Sequence, residues 1–225
     1  MSSIRLAHFA SILYFIIIIC GISSEMLVRS PFINMQDMTI TLANLLQYRS
    51  FFNFAFGFDL LMLICDITLA IVFYILFQTI NKNLSLSAFV FRLLHSVVVL
   101  IALLFFYFAI FIATQNSLVS VQNKVFIKLF LELHAYGYDL GLIFFAFSNL
   151  ALGILFISST SLPKLLGYGL LMASIVYLIG SLIHFFASQY LFIIKVAYII
   201  PFIVESSFAF WLLMLKQKHE KLFIR

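Results

Sequence analysis

The stretch Phe51 to Phe77, FFNFAFGFDLLMLICDITLAIVFYILF, is long enough to cross a bilayer as a helix. It carries two carboxylates, Asp59 and Asp66, with apolar residues on all sides. A carboxylate at membrane depth costs roughly 2.5–3.5 kcal/mol on insertion scales, so two on one helix require partners or a wet cavity. Their spacing puts both on one face, about two turns apart. That face is predicted to look into a bundle, away from lipid.

The rest of the chain fits such a bundle. Of 225 residues, 65% are hydrophobic and 9% charged, where a soluble domain carries about 25% charged residues. The net charge of +5 comes from residues near apolar-run ends and in the tail, a pattern of membrane topology. No basic stripe with interleaved aromatics points to nucleic acid, and the lipid bilayer is the expected partner. Cys20 and Cys65 both lie inside apolar runs, so neither a disulfide framework nor a paired-cysteine metal motif is present.

The chain reads as a single all-α transmembrane domain over 1–225, with six helices at about 6–26, 51–77, 86–113, 129–158, 165–186 and 192–215. The first run, LAHFASILYFIIIICGISS, exceeds the 7–15 residues of a signal-peptide core, and no A-x-A site follows it. Asp37 to Tyr48 is predicted to form a short amphipathic helix at the outer interface, with Met38, Ile40, Leu42, Leu45 and Leu46 as its apolar residues. Six crossings put both termini on one side. With that side cytoplasmic, Arg5, Lys82, Lys164, Lys216, Lys218, Lys221 and Arg225 lie inside, and Arg29, Arg49, Lys124, Lys128 and Lys195 outside. The inner connections are far shorter and denser in charge, which predicts an inner-membrane protein with both termini cytoplasmic.

A rise of 1.5 Å per residue assigns each polar residue a depth. Asp66 and Arg92 both fall roughly 8 Å from the inner boundary, on helices joined by a short turn, and are predicted to pair. His95 and Glu205 fall near one another slightly deeper, and Ser96 shares a face with Arg92. The inner half is therefore predicted to hold a network of Asp66, Arg92, His95 and Glu205, with His95 and Glu205 suited to proton exchange. The structural reading of the same residues is a salt bridge that fixes helix register. An outer polar cluster gathers Asp59, His134, Asp139 and His184, with Arg49, His134 or His184 as the expected partner of Asp59. Glu25, Glu132 and Lys195 read as wetted helix ends. Gly137 and Gly141 form a GxxxG, which permits close helix approach.

The inner halves of the second, fourth and sixth helices align without gaps: Asp66-Ile-Thr-Leu-Ala-Ile, Asn149-Leu-Ala-Leu-Gly-Ile and Glu205-Ser-Ser-Phe-Ala-Phe. That alignment would make the protein three copies of a two-helix hairpin, with Asp66, Asn149 and Glu205 at one level.

The stretches FDLLMLICDITLAIVFYILFQTINKNLSLSAFVFRLLHS and LELHAYGYDLGLIFFAFSNLALGILFISSTSLPKLLGYGLL, with LVRS near Arg29 and the final VESSFAFWLL, carry a resemblance over nearly the whole chain. The pattern resembles the bacterial domain-of-unknown-function family numbered 4386. The resemblance implies a multi-pass bacterial membrane protein and brings no activity with it. Relatives often carry a His-Cys pair where this chain has Ser148 and Asn149, so a metal site at that position is not expected here.

Three functions fit these residues. The first is binding or transport of a small polar solute or of protons through Asp66, Arg92, His95, Glu205 and Asn149. The alternative is an intramembrane metal-dependent hydrolase using Asp59, His134, Asp139 and His184, although no HxxxH or HExxH spacing supports it and no metal site is assigned. The third is a non-catalytic sensor or assembly protein whose polar groups only hold the bundle. His95 and His184 lie at different depths, against a bis-histidine haem, and Lys195 is too shallow for a retinal. No phosphate loop, nucleophile elbow or glycine-rich fingerprint is present, and no cofactor is assigned.

Overall fold

A computed structural model describes residues 2–115, 121–217, 219 and 222. Among these the chain is helical, with six spans long and apolar enough to cross a membrane: Ser3–Phe32, Arg49–Phe77, Lys82–Thr114, Gln122–Ser158, Lys164–Phe186 and Ser188–Met214. Each span packs against the next, and the last closes against the first, giving a ring of six helices. The two chain ends meet in that closure, where His8 donates from Nε2 to the Leu215 carbonyl at 2.8 Å and Ser11 donates to the Ala209 carbonyl at 2.8 Å. The chain folds as a multi-pass membrane protein.

Ile64, Ile67, Ile71 and Ile75 run down the exposed face of the second span, while Asp59, Met62, Asp66, Leu69 and Phe73 run down its buried face. An apolar outside with carboxylates inside is the reverse of a soluble protein and suits a hydrocarbon solvent. Two apolar cores fill the ring. One, at the end that carries the termini, holds Tyr14, Phe73, Phe77, Phe156 and Phe208. The other, at the opposite end, holds Phe52, Leu63, Phe106, Ile127 and Leu131. Along the third span Ala88 belongs to the first core and Val99 to the second, and Arg92, His95 and Ser96 lie between them.

The third span begins at Lys82, four residues before its expected start, and three others depart further from their expected bounds. The first span continues past residue 26 to Phe32, through a π-helical segment at Ser23–Arg29. Its wider turns change the helical phase and bring Val28 and Arg29 inward. The fourth span begins by Gln122 and not at 129, so Lys124 and Lys128 stand on its first turns; Asn116 to Ser120 of the expected polar connection lie outside the described residues. The sixth span is broken: a 3-10 turn at Ser188–Tyr190, a helix at Leu191–Ala197, and a second helix at Ile199–Met214. Pro201 explains the break, because it has no N–H to donate and its ring clashes with the carbonyl four residues back, that of Ala197.

The short helix expected near residues 37–48 is Met38–Gln47, with Asp37 accepting from the backbone of Thr39 and Ile40. It buries Thr41, Leu42 and Leu45 but leaves Ile40 and Leu46 exposed. Thr41 and Asn44 tie it back through Asn34 and the Phe32 carbonyl. The GxxxG seats the fourth span on the third, since a Cβ at Gly137 would lie 2.8 Å from that of Ala102.

Candidate functional site

The layer between the two cores is built around Arg92. Its Nε donates to Asp66 Oδ1 at 2.8 Å, and Nη2 lies 2.7 Å from the same oxygen. Ser96, one turn along the third span, donates to Asp66 Oδ2 at 2.8 Å. The guanidinium carbon sits 4.8 Å from the Phe145 ring centroid and 5.4 Å from that of Tyr14, so aromatic faces cover what the carboxylate does not.

Glu205, on the sixth span, accepts from Tyr177 at 3.0 Å and from Asn149 Nδ2 at 3.3 Å. Asn149 and Glu205, aligned in the sequence as counterparts of Asp66, thus meet directly. His95 does not join them: its ring packs on Phe145 at 4.9 Å, and its Nδ1 lies beside the Gly141 backbone without a well-formed hydrogen bond. The expected four-member network therefore divides into an Asp66–Arg92–Ser96 group and a Glu205–Asn149–Tyr177 group. Depth matched His95 to Glu205, but the helix rotates His95 toward the fourth span. Four other polar atoms in or beside this layer are likewise buried without a partner or with a poor one: the Tyr14 hydroxyl, Arg92 Nη1 and Nη2, and Asn149 Oδ1.

At the opposite end, Asp59 pairs with Arg29, correcting the expected partners Arg49, His134 and His184. Arg29 also donates from Nε to Glu25 at 2.8 Å. The cause is the π-helical segment, which turns Arg29 toward the second span, where Ser24 donates to the Ala55 carbonyl at 3.0 Å. Arg49 is exposed. His134 donates from Nδ1 to the Ala102 carbonyl at 3.0 Å, within reach because Gly137 brings the third and fourth spans together. Asp139 and His184 do meet, through His184 Nδ1 and a carboxylate oxygen, with Ser181 donating to Asp139 at 3.4 Å and Tyr136 stacked on the imidazole at 4.6 Å.

The outer cluster is thus three separate places. Among the described residues no three His, Cys, Asp or Glu side chains gather closely enough to hold a metal ion.

A family profile of a domain of unknown function, DUF4386, matches residues 9–215. The chain belongs to this family. An uncharacterised protein of Archaeoglobus fulgidus is 30% identical over 158 residues, which cover 70% of this chain and 81% of the relative. No solved structure matches the chain.

Sequence reasoning missed Arg29, Tyr14 and Tyr177. Arg29 lay past the expected end of the first helix at residue 26, among the charges assigned to the outer side. Tyr14 and Tyr177 are tyrosines in apolar runs, which pass for ring-bearing core residues. A signal for Tyr177 was present: Tyr177, Ser181 and His184 recur at helical spacing along an otherwise apolar span.

Proposed function

We propose that this protein binds a small polar solute or carries protons at a buried site between its two cores, centred on Arg92 and Glu205. The observation that carries the reading is the set of buried polar atoms there that lack a well-formed hydrogen bond: the Tyr14 hydroxyl and Arg92 Nη1, which lean on each other, His95 Nδ1 beside the Gly141 backbone, and Asn149 Oδ1. Each costs about 1–3 kcal/mol if left dry. Together they would consume most of the roughly 5–15 kcal/mol that keeps a domain folded. Water or a small ligand in this layer would complete these bonds. The set mixes N–H and O–H donors with an amide acceptor, and Glu205 adds a carboxyl group that can take up and release a proton. In this reading both termini face the cytoplasm and the protein lies in the cell membrane.

The hydrolase alternative loses its support, because Asp59, His134 and the Asp139–His184 pair stand apart. A purely structural role draws on Asp66, both of whose oxygens are bonded within the protein, to Arg92 and to Ser96.

The test is proton flux in proteoliposomes that enclose a pH-sensitive dye, driven by a potassium diffusion potential, together with thermal shifts against a panel of small amino acids and carboxylates. The reading expects flux above that of protein-free liposomes, or a solute that raises Tm, and loss of that response in Glu205→Gln. No flux and no shift in the wild type would refute it and leave the structural role.

A further inference from the structure

We infer that water reaches Glu205 from the end of the bundle opposite the termini, along one face of the fifth span, with the Asp139–His184 pair at its mouth. This rests on the buried site proposed above. Past its first turns, which carry Lys164 and Tyr168, the fifth span KLLGYGLLMASIVYLIGSLIHFF is apolar except along one stripe. Ser174, Tyr177, Ser181 and His184 follow one another at intervals of three and four, the spacing of a single helix face. The stripe meets two carboxylates on other spans: Tyr177 donates to Glu205 at 3.0 Å, and Ser181 donates to Asp139 at 3.4 Å. The His184 and Asp139 side chains at its mouth are 18% and 19% exposed, while Ser181 and Glu205 behind them are buried.

Midway, Gly180 leaves room for a third hydroxyl. A Cβ at Gly180 would collide with the hydroxyl end of Tyr198, and the Tyr198 ring packs edge-on against that of Tyr177 at 5.8 Å. Tyr198 is the residue at which the sixth span breaks. Broken helices beside buried polar groups are where membrane proteins tolerate water-lined cavities. Tyr177 and Ser181 are one turn apart, about 6 Å along the axis, a gap that one bridging water spans with two hydrogen bonds. Interhelical hydrogen bonding alone accounts for these two carboxylate contacts. It does not account for a glycine and a helix break that place a further hydroxyl between them.

A proton entering at the His184–Asp139 pair would pass along Ser181, Tyr198 and Tyr177 with intervening water. Each hydroxyl releases one proton as it takes another, and the last settles on the Glu205 carboxylate, so one proton moves and nothing is oxidised or reduced. The groups facing Glu205 are Tyr177 of the fifth span and Asn149 of the fourth, with the Arg92–Asp66 pair and Tyr14 across the layer.

The test places a thiol on the stripe as Ser181→Cys, in a Cys20→Ala, Cys65→Ala background. Silver ion or a small impermeant methanethiosulfonate is added to one side of sealed vesicles whose orientation is read from protease access to the C-terminal tail. The expected result is labelling from the side opposite the termini, at least about tenfold faster than a Ser11→Cys control, since thiol reaction requires access to water. Gly180→Val, which fills the space beside Tyr198, should slow it by a similar factor. Ser174→Cys serves as a second reporter if Ser181→Cys does not fold. Labelling from the terminal side only, or from neither side in a monodisperse protein, overturns the route. Labelling from the expected side with no wild-type flux or solute response keeps the route and refutes the transport reading; flux with terminal-side labelling does the reverse.

Discussion

Arg92 and Asp66 close on each other across the second and third spans, with Nε and Nη2 at 2.8 and 2.7 Å from one carboxylate oxygen and Ser96 bound to the other. Removing one member of a buried pair leaves the other charge stranded. Asp66→Ala is expected to lower stability by about 3–5 kcal/mol, read by SDS-driven unfolding in mixed micelles. The double variant Asp66→Leu, Arg92→Met should recover most of that loss. A double variant no better than the single one would mean that Arg92 is held mainly by other groups.

Arg29 bridges a buried carboxylate and an exposed one. Arg29→Leu leaves Asp59 buried and unpaired and should cost about 3–5 kcal/mol in the same unfolding assay. Glu25 is 59% exposed on its side chain. Glu25→Ala should therefore cost less than about 1 kcal/mol, as exposed ion pairs do. Equal effects would contradict the separation of roles.

The fourth and fifth spans touch backbone to backbone at Gly153 and Gly167, where a Cβ on either would lie 2.9 or 3.0 Å from the carbonyl oxygen of the other. Gly153→Val should force the helices apart and cost about 1–3 kcal/mol. Gly57 meets nothing within 4 Å. Gly57→Ala is expected to change stability in the opposite direction, by roughly 0.5–1 kcal/mol, because alanine loses less backbone freedom in a helix. Unfolding midpoints of the two variants decide the sign.

The sixth span is held unevenly. Leu191–Ala197 has no buried residue, while Ile199–Met214 buries Pro201, Glu205, Phe208, Ala209 and Leu212. Hydrogen–deuterium exchange in nanodiscs should show the first segment exchanging faster than the second, with the step at Tyr198. Uniform protection across the break would indicate that another molecule covers the first segment.

The sequence by itself determined six apolar spans, the inward carboxylate face of the second, and the pairing of Asp66 with Arg92. It could do so because depth along a helix is linear in residue number, so charges that must be neutralised find partners at equal height. What it could not supply was rotation. His95 shares the height of Glu205 yet turns to Phe145, leaving Glu205 to Tyr177 and Asn149. The π-helical segment at Ser23–Arg29 and the break at Tyr198 reset the phase of two spans and placed Arg29 on Asp59 and Tyr198 beside Gly180. Those angles follow from side-chain packing and the closing of the ring, which involve all six spans at once, and only the tertiary structure decided them.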